Sequence, residues 1–291
     1  MPEIPDLCIY ARRLKQTFAG KTLTAFHIDH PFVLRSVAPE PRVFAGKTMQ
    51  GAELLGKRIV LRFEDDLSIV IHLMIAGRLR FKPPNASFPK KQSMARLVFD
   101  HGFLLFTEAG SKRRASIHLC QNQDELRSHH PGGIDPTNSS FEHFAAALMT
   151  KNQTLKRALT DQSSIAGIGN AYSDEILHAA RMSPFLSTNK LDDAQLRRLF
   201  EATTSTLNNW IERLDKRHQG FPDKVTAFQP EMAVHGKYGK SCPACGSTVQ
   251  RIVYERKNEM NYCPGCQTGG RMLADRALSR LLKDSWPKRV D

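Results

Sequence analysis

Two cysteine pairs towards the C-terminal end constrain this chain more than any other feature: Cys242-Pro243-Ala244-Cys245 and Cys263-Pro264-Gly265-Cys266. Two CxxC knuckles separated by residues 246–262 bring four thiols within reach of one ion, and Pro and Gly suit the tight turns involved. The spacing predicts a β-hairpin holding one tetrahedral Zn2+ through Cys242, Cys245, Cys263 and Cys266. With all four positions supplied by protein, no site stays open for water. A zinc hydrolase is therefore excluded, and the metal is expected to organise structure. Cys8 and Cys120 stand alone, a distribution that points to metal binding in a reducing compartment rather than to a disulfide framework.

At 291 residues and 41% hydrophobic content the chain can fill the cores of two domains. Lys and Arg outnumber Asp and Glu by 42 to 29, a net +13, which calls for a polyanionic partner. Nucleic acid leads, ahead of an anionic membrane surface. No apolar run approaches the roughly 20 residues of a spanning helix, and the N-terminus lacks the build of a secretory signal. The expectation is an intracellular, cytoplasmic or nucleoid-associated monomer with no membrane partner.

Leu7, Tyr10, Leu14 and Phe18 recur at helical spacing, predicting an amphipathic helix from Pro5 to Phe18. From Thr22 to Cys120 short β-rich runs follow, among them Arg58–Phe63, Leu67–Leu73, Arg96–Phe99 and Phe103–Thr107. Their close spacing predicts antiparallel sheets packed as a sandwich or flattened barrel. His130–Pro136 reads as a linker. Beyond it the pattern turns helical over Phe141–Thr150, Leu155–Thr160, Ala171–Arg181 and Asp192–Leu214, with one more short basic helix over Met272–Lys283. The domains expected are 1–128, a catalytic β-sandwich; 129–136, a linker; 137–225, helical; 226–268, the zinc finger; and 269–291, a basic extension.

Chemistry concentrates first at Met1-Pro2-Glu3-Ile4-Pro5-Asp6. Removal of Met1, favoured by the small second residue, turns Pro2 into a secondary amine able to attack an aldehydic sugar carbon and form an iminium. The plainer reading is an ordinary N-terminus in which Pro5 and Asp6 start a helix. A second candidate is Gly167-Ile168-Gly169-Asn170, where glycines allow close backbone approach and a helix N-terminus suits phosphate; a simple turn between helices is the alternative. Lys57, after Gly56 at a strand start, and His72, in the next apolar strand, are further candidates, against a solubilising charge and a core histidine.

Taken together, Pro2–Asp6, Gly56-Lys57, His72-Leu73 with Gly77 and Leu79, Gly167–Tyr172 and the four-cysteine hairpin stand in an order that resembles the formamidopyrimidine-DNA glycosylase and endonuclease VIII family. The resemblance runs nearly to Cys266. It implies an α+β multidomain fold: an N-terminal antiparallel β-sandwich with flanking helices, then a helix–two-turn–helix domain ending in the zinc hairpin. It implies a bifunctional glycosylase and abasic-site lyase of base-excision repair. In that scheme Pro2 attacks C1′ of a damaged nucleotide in double-stranded DNA, forms a Schiff base and carries β,δ-elimination, with Glu3 as acid/base partner. Asp6 stands where the family often has glutamate. Lys57 and His72 would meet phosphates near the lesion, as would Lys156 and Asn170 with the Gly167–Gly169 turn. Such contacts position the duplex without selecting a base, and the target nucleotide would be flipped into a cleft.

Two departures bear on substrate. The hairpin arginine of the family is Asn258 here, leaving Arg256 or Lys257 as substitutes. The usual wedge loop is replaced by Glu108–Arg114, which keeps Arg113 for DNA but has no aromatic residue, so Met74 or Ile75 would supply the apolar wedge. The loop capping the flipped base is expected over His218–Phe228. The N-terminal pattern leans towards oxidised purines such as 8-oxoguanine and formamidopyrimidines. The alternative is a non-catalytic or abasic-site-only protein that binds DNA damage.

Overall fold

The computed structural model describes residues 1–110, 112–222, 225–253, 259–274 and 289. The chain divides into two compact units, Met1–Pro131 with Trp210–Ala227, and Gly132–Asn209 with Phe228–Asp291.

The first unit opens with helix α1 (Ile4–Phe18). Strands β1 (Leu23–Ile28), β2 (Met49–Leu55), β3 (Arg58–Phe63), β4 (Ser68–His72), β5 (Gly77–Lys82), β6 (Ser93–Phe99), β7 (Gly102–Glu108) and β8 (Ser116–Cys120) follow, then the short helix α2 (Gln123–Ser128). The strands form two antiparallel sheets, ordered β1-β6-β7-β5 and β2-β3-β4-β8. Strand alternation explains the layering. Ile59, Leu61 and Phe63 of β3 enter the main core with Leu97, Leu104 and Phe106 of the other sheet. Val60, one position out of phase, joins Val70, Cys120 and Leu126 on the opposite face. Leu7, Tyr10, Leu14 and Phe18 of α1 fill the same main core, each burial stabilising by roughly 1.5–3 kcal/mol. That packing fixes the start of α1 on the sheets.

The second unit holds α3 (Phe141–Met149), α4 (Leu155–Thr160), α5 (Asn170–Ala179) and α6 (Asp193–Arg217) up to Asn209, then β9 (Gln250–Val253), β10 (Glu259–Tyr262) and α7 (Pro264–Thr268). Strands β9 and β10 pair antiparallel, Gln250 opposite Tyr262 and Val253 opposite Glu259. The antiparallel sheets, the helical stretch and the terminal cysteine hairpin agree with the expected fold class. One element differs. Met272–Ala274, the described start of the expected basic helix, is not helical, and its remainder lies outside the described residues. Among the described residues no helix is long and apolar enough to cross a membrane.

Candidate active site and metal centre

Pro2 and Glu3 are buried against the first turn of α1, Glu3 being 3% exposed. The Asp6 carboxylate accepts the Glu3 N–H at 2.9 Å, one half of a capping box that fixes how the chain enters the helix. Asp6, fully buried, is thus engaged in holding the N-terminus in place. Burial holds the Met1 amine below its ordinary pKa; Glu3 and Asp6 oppose the shift, while Lys57 and Arg78 add to it. The amine therefore lies within the electrostatic reach of two carboxylates and two cations.

Lys57 owes its place to a two-residue hairpin, Gly56-Lys57, between β2 and β3, in which Gly56 takes φ +60°. Arg78 was missed by sequence reasoning. It sits at the start of β5, where its guanidinium donates to the carbonyls of Ile75 (3.1 Å) and Gly77 (2.6 Å) and so organises the turn that presents Met74 and the exposed Ile75. That turn requires glycine at 77, because a Cβ there would meet the Leu73 carbonyl oxygen at 2.3 Å.

His72 ends β4, two positions beyond Val70, which is paired with His118 of β8, so both imidazoles share one sheet face. Arg58 lies on that face too, donating to the His129 carbonyl, and the His118 and His129 rings are 4.6 Å apart. Burial, reinforced by Arg58, Lys57 and His118, pushes His72 down to about 4. His118 also falls to about 4, through burial and then the charges of His129, Arg58 and Arg35. No sequence pattern flagged His118 or His129; only the strand register reveals the group.

The Glu108–Arg114 segment is anchored by its first residue. The buried Glu108 carboxylate accepts the N–H groups of Arg114 (2.9 Å) and Ala115 (3.1 Å), which ties the two ends of the segment together. Arg113 donates to the Lys91 carbonyl and, with His30, Phe32, Arg35 and Gly110, lines an open groove of about 490 Å³. Phe32 is 72% exposed there, an aromatic ring beside two guanidiniums.

In the second unit, Gly167 takes φ +85° and its N–H donates to Gln162 Oε1 at 2.8 Å, while Gln162 Nε2 donates to the Ile168 carbonyl at 2.7 Å. Gln162 thus clamps the turn from inside, a role its sequence position did not announce. Gly169 is the N-cap of α5, and exposed Asn170 donates from Nδ2 to the Glu259 carbonyl. Lys156 is placed beneath this turn: its ammonium donates to the Asn170 carbonyl, Ser173 Oγ and the Asp174 carboxylate. Asp174 also accepts the His235 ring at 2.8 Å and the Asn261 N–H at 3.1 Å. Arg256, Lys257 and Asn258 lie outside the described residues.

The four hairpin cysteines are brought together as free thiols, Cys242 Sγ 3.8 Å from Cys266 Sγ and Cys245 Sγ 3.3 Å from Cys263 Sγ. Four sulfurs about 2.3 Å from one tetrahedral ion stand about 3.8 Å apart, so the set fits a thiolate-bound metal. Gly265 leaves room in the second knuckle, since a Cβ would meet Ser247 Oγ at 2.5 Å and Cys245 Sγ at 3.0 Å and force those side chains to move. A donor that the CxxC spacing does not contain joins them: His178 of α5, whose ring nitrogen groups with the sulfurs of Cys242, Cys263 and Cys266 within 4.8 Å.

Residues 1–114 match the formamidopyrimidine-DNA glycosylase N-terminal domain, and residues 133–220 the H2TH domain of the same enzymes. A Mycobacterium tuberculosis "uncharacterized formamidopyrimidine-DNA glycosylase-like protein" is 44% identical over 151 residues, covering 52% of this chain and 94% of that one. The Heliobacterium modesticaldum formamidopyrimidine-DNA glycosylase is 29% identical over 285 residues, 92% of this chain and all of the relative. Among solved structures, the Lactococcus lactis FPG in complex with a FAPY-dG containing DNA superposes with a TM-score of 0.80 at 25% identity. It covers 91% of this chain and 100% of that one.

Proposed function

Because this chain belongs to the formamidopyrimidine-DNA glycosylase family and is a DNA glycosylase, we propose that its chemistry runs through the amine of Pro2, freed by loss of Met1. The carrying observation is the placement of Pro2: buried at the head of α1 beside buried Glu3 and Asp6, with the adjoining Met1 amine within electrostatic reach of both carboxylates and of Lys57 and Arg78. Burial at this position would favour the free base of a Pro2 amine, which is the form that attacks carbon.

In this reading the Pro2 nitrogen bonds to C1′ of the damaged nucleotide, the base departs with a proton, and Glu3 delivers a proton to the opening sugar-ring oxygen. The C1′–nitrogen iminium then acidifies the C2′ hydrogen. Its removal, with Glu3 as base, breaks the bond from C3′ to phosphate, and a second elimination releases the 5′ phosphate. Lys57, His72, Arg113 and the Gly167–Asn170 turn are assigned to the phosphates, His72 as an uncharged N–H donor given its lowered pKa. Lys156 is assigned to holding that turn. Cys242, Cys245, Cys263 and Cys266 would hold Zn2+, which shapes the hairpin and takes no part in the reaction. Damaged double-stranded DNA is the substrate, with formamidopyrimidines and related oxidised purines favoured by the N-terminal Pro2-Glu3-Ile4-Pro5 pattern.

The test is borohydride reduction on DNA carrying an abasic site or a formamidopyrimidine, followed by mass analysis of the N-terminal peptide. A covalent sugar adduct on Pro2 is expected. Tight lesion binding with no adduct would replace this reading with a damage-binding protein. Adduct formation on the abasic site alone would restrict it to a lyase.

A further inference from the structure

Four thiolates around a divalent ion leave a net charge of −2, and here two of the four cysteines are sequestered: Cys242 and Cys263 are 2% and 0% exposed, while Cys266 is half-buried and Cys245 exposed. Such a charge needs hydrogen-bond donors aimed at sulfur. The hairpin supplies one itself, the Cys266 N–H to Cys263 Sγ at 3.4 Å. Cys242 is met from elsewhere in the fold. His178, in the last turn of α5, places Nε2 3.2 Å from Cys242 Sγ.

We propose that His178 donates its Nε2 hydrogen to the Cys242 thiolate from outside the coordination shell, lowering the sulfur's reactivity and tying α5 to the metal centre. The assignment as donor rather than ligand follows from number. Zinc in a structural site takes four ligands, and here five groups stand close: His178 shares a 4.8 Å cluster with Cys242, Cys263 and Cys266, Cys245 lies 3.3 Å from Cys263, and the imidazole is the one at hydrogen-bonding distance, 3.2 Å, from a sulfur. The helix that begins at Asn170, in the turn assigned to phosphate, thus ends on the metal site. The sequence pattern announces four cysteines and gives no hint of the histidine. This inference rests on the four-thiolate metal reading, and the experiment separates the two.

Full-length protein loaded with Zn2+ or Co2+ would be compared with His178→Phe, which removes the donor, and His178→Gln, which restores an N–H. The readouts are the rate of zinc loss during thiol alkylation, followed with a chromogenic chelator, and the cobalt absorption spectrum. The expectation is an all-sulfur tetrahedral cobalt spectrum in every protein. Zinc loss should be about tenfold faster in His178→Phe and substantially restored in His178→Gln. A cobalt spectrum that changes from mixed nitrogen–sulfur to all-sulfur on losing His178 would make it a ligand and overturn the proposal. Unchanged zinc loss in His178→Phe would overturn it as well. Should His178→Phe fail to fold, zinc loss from folded His178→Gln at the native rate supports the donor role, and loss about tenfold faster overturns it. Native protein that takes up neither ion sinks the four-thiolate reading, and this proposal with it.

Discussion

Lys156 and Asp174 form a buried ion pair directly beneath the turn that opens α5, the lysine side chain 11% exposed and the carboxylate 0%. A lysine in a basic protein invites assignment to DNA, yet this one has its donors committed inside the second unit. Removing one member of such a pair leaves the other charge in a poorly solvated site. Lys156→Met is therefore expected to lower unfolding free energy by about 3 kcal/mol in urea titrations, while the salt dependence of DNA binding by the remaining folded protein stays as in the native chain. A stable variant whose salt slope drops by about 1 would return Lys156 to the phosphates.

The paired histidines make stability depend on pH. His72 and His118 protonate near 6.5 when unfolded but only near 4 in the fold, so between those values the unfolded chain binds more protons. Stability is thus complete above about 6.5 and falls as pH drops towards 4. Unfolding free energies at pH 7 and pH 5 should differ by about 1–3 kcal/mol, discounting for partial exposure, and the double variant His72→Gln, His118→Gln should reduce that difference.

Lys57 is expected to act on the amine as well as on phosphate. Its charge opposes protonation of the Met1 amine, and the same field is expected at the Pro2 nitrogen once Met1 is lost, so Lys57→Met should let the Pro2 amine's pKa rise. The acid limb of the abasic-site cleavage profile then moves to higher pH. Single-turnover rates across pH check this, and DNA binding should lose about 1 unit of salt slope. A profile that keeps its position would confine Lys57 to phosphate.

Gly77→Ala should cost about 1–3 kcal/mol and disturb the Leu73–Gly77 turn, because the new methyl collides with the Leu73 backbone. Calorimetry gives the first effect. The second shows as reduced excision with little change in abasic-site trapping if Met74 and Ile75 serve as the wedge.

The legible parts of this molecule were those written in periodicity and local spacing. Leu7, Tyr10, Leu14 and Phe18 disclose α1, short β-rich apolar runs disclose β3 and β4, and the CxxC pairs disclose the thiol cluster. Groups assembled by strand register or by distant loops were hidden. His118 meets His129 through the β4–β8 pairing and the turn after α2, and Phe32 reaches the Arg113 groove across more than 80 positions of chain. Lys156 was legible as a charge and illegible as a buried one, since nothing local marks Asp174 as its partner. His178 is the same case, a lone histidine in a helix until the fold brings Cys242 beside it.

Next to Asp174, Glu175 reaches the segment at 233–235, where its carboxylate accepts the main-chain N–H groups of Ala233, Val234 and His235 at 2.8–2.9 Å. A grip on backbone rather than side chains makes mutational tolerance lopsided. Ala233 is open to most replacements, because its donor comes with every residue but proline. Glu175 has no substitute: aspartate falls one methylene short, and glutamine offers an N–H where only acceptors are wanted. A saturation scan should find Glu175 intolerant beside the ion-paired Asp174, facing a strap whose commonest lethal change is proline.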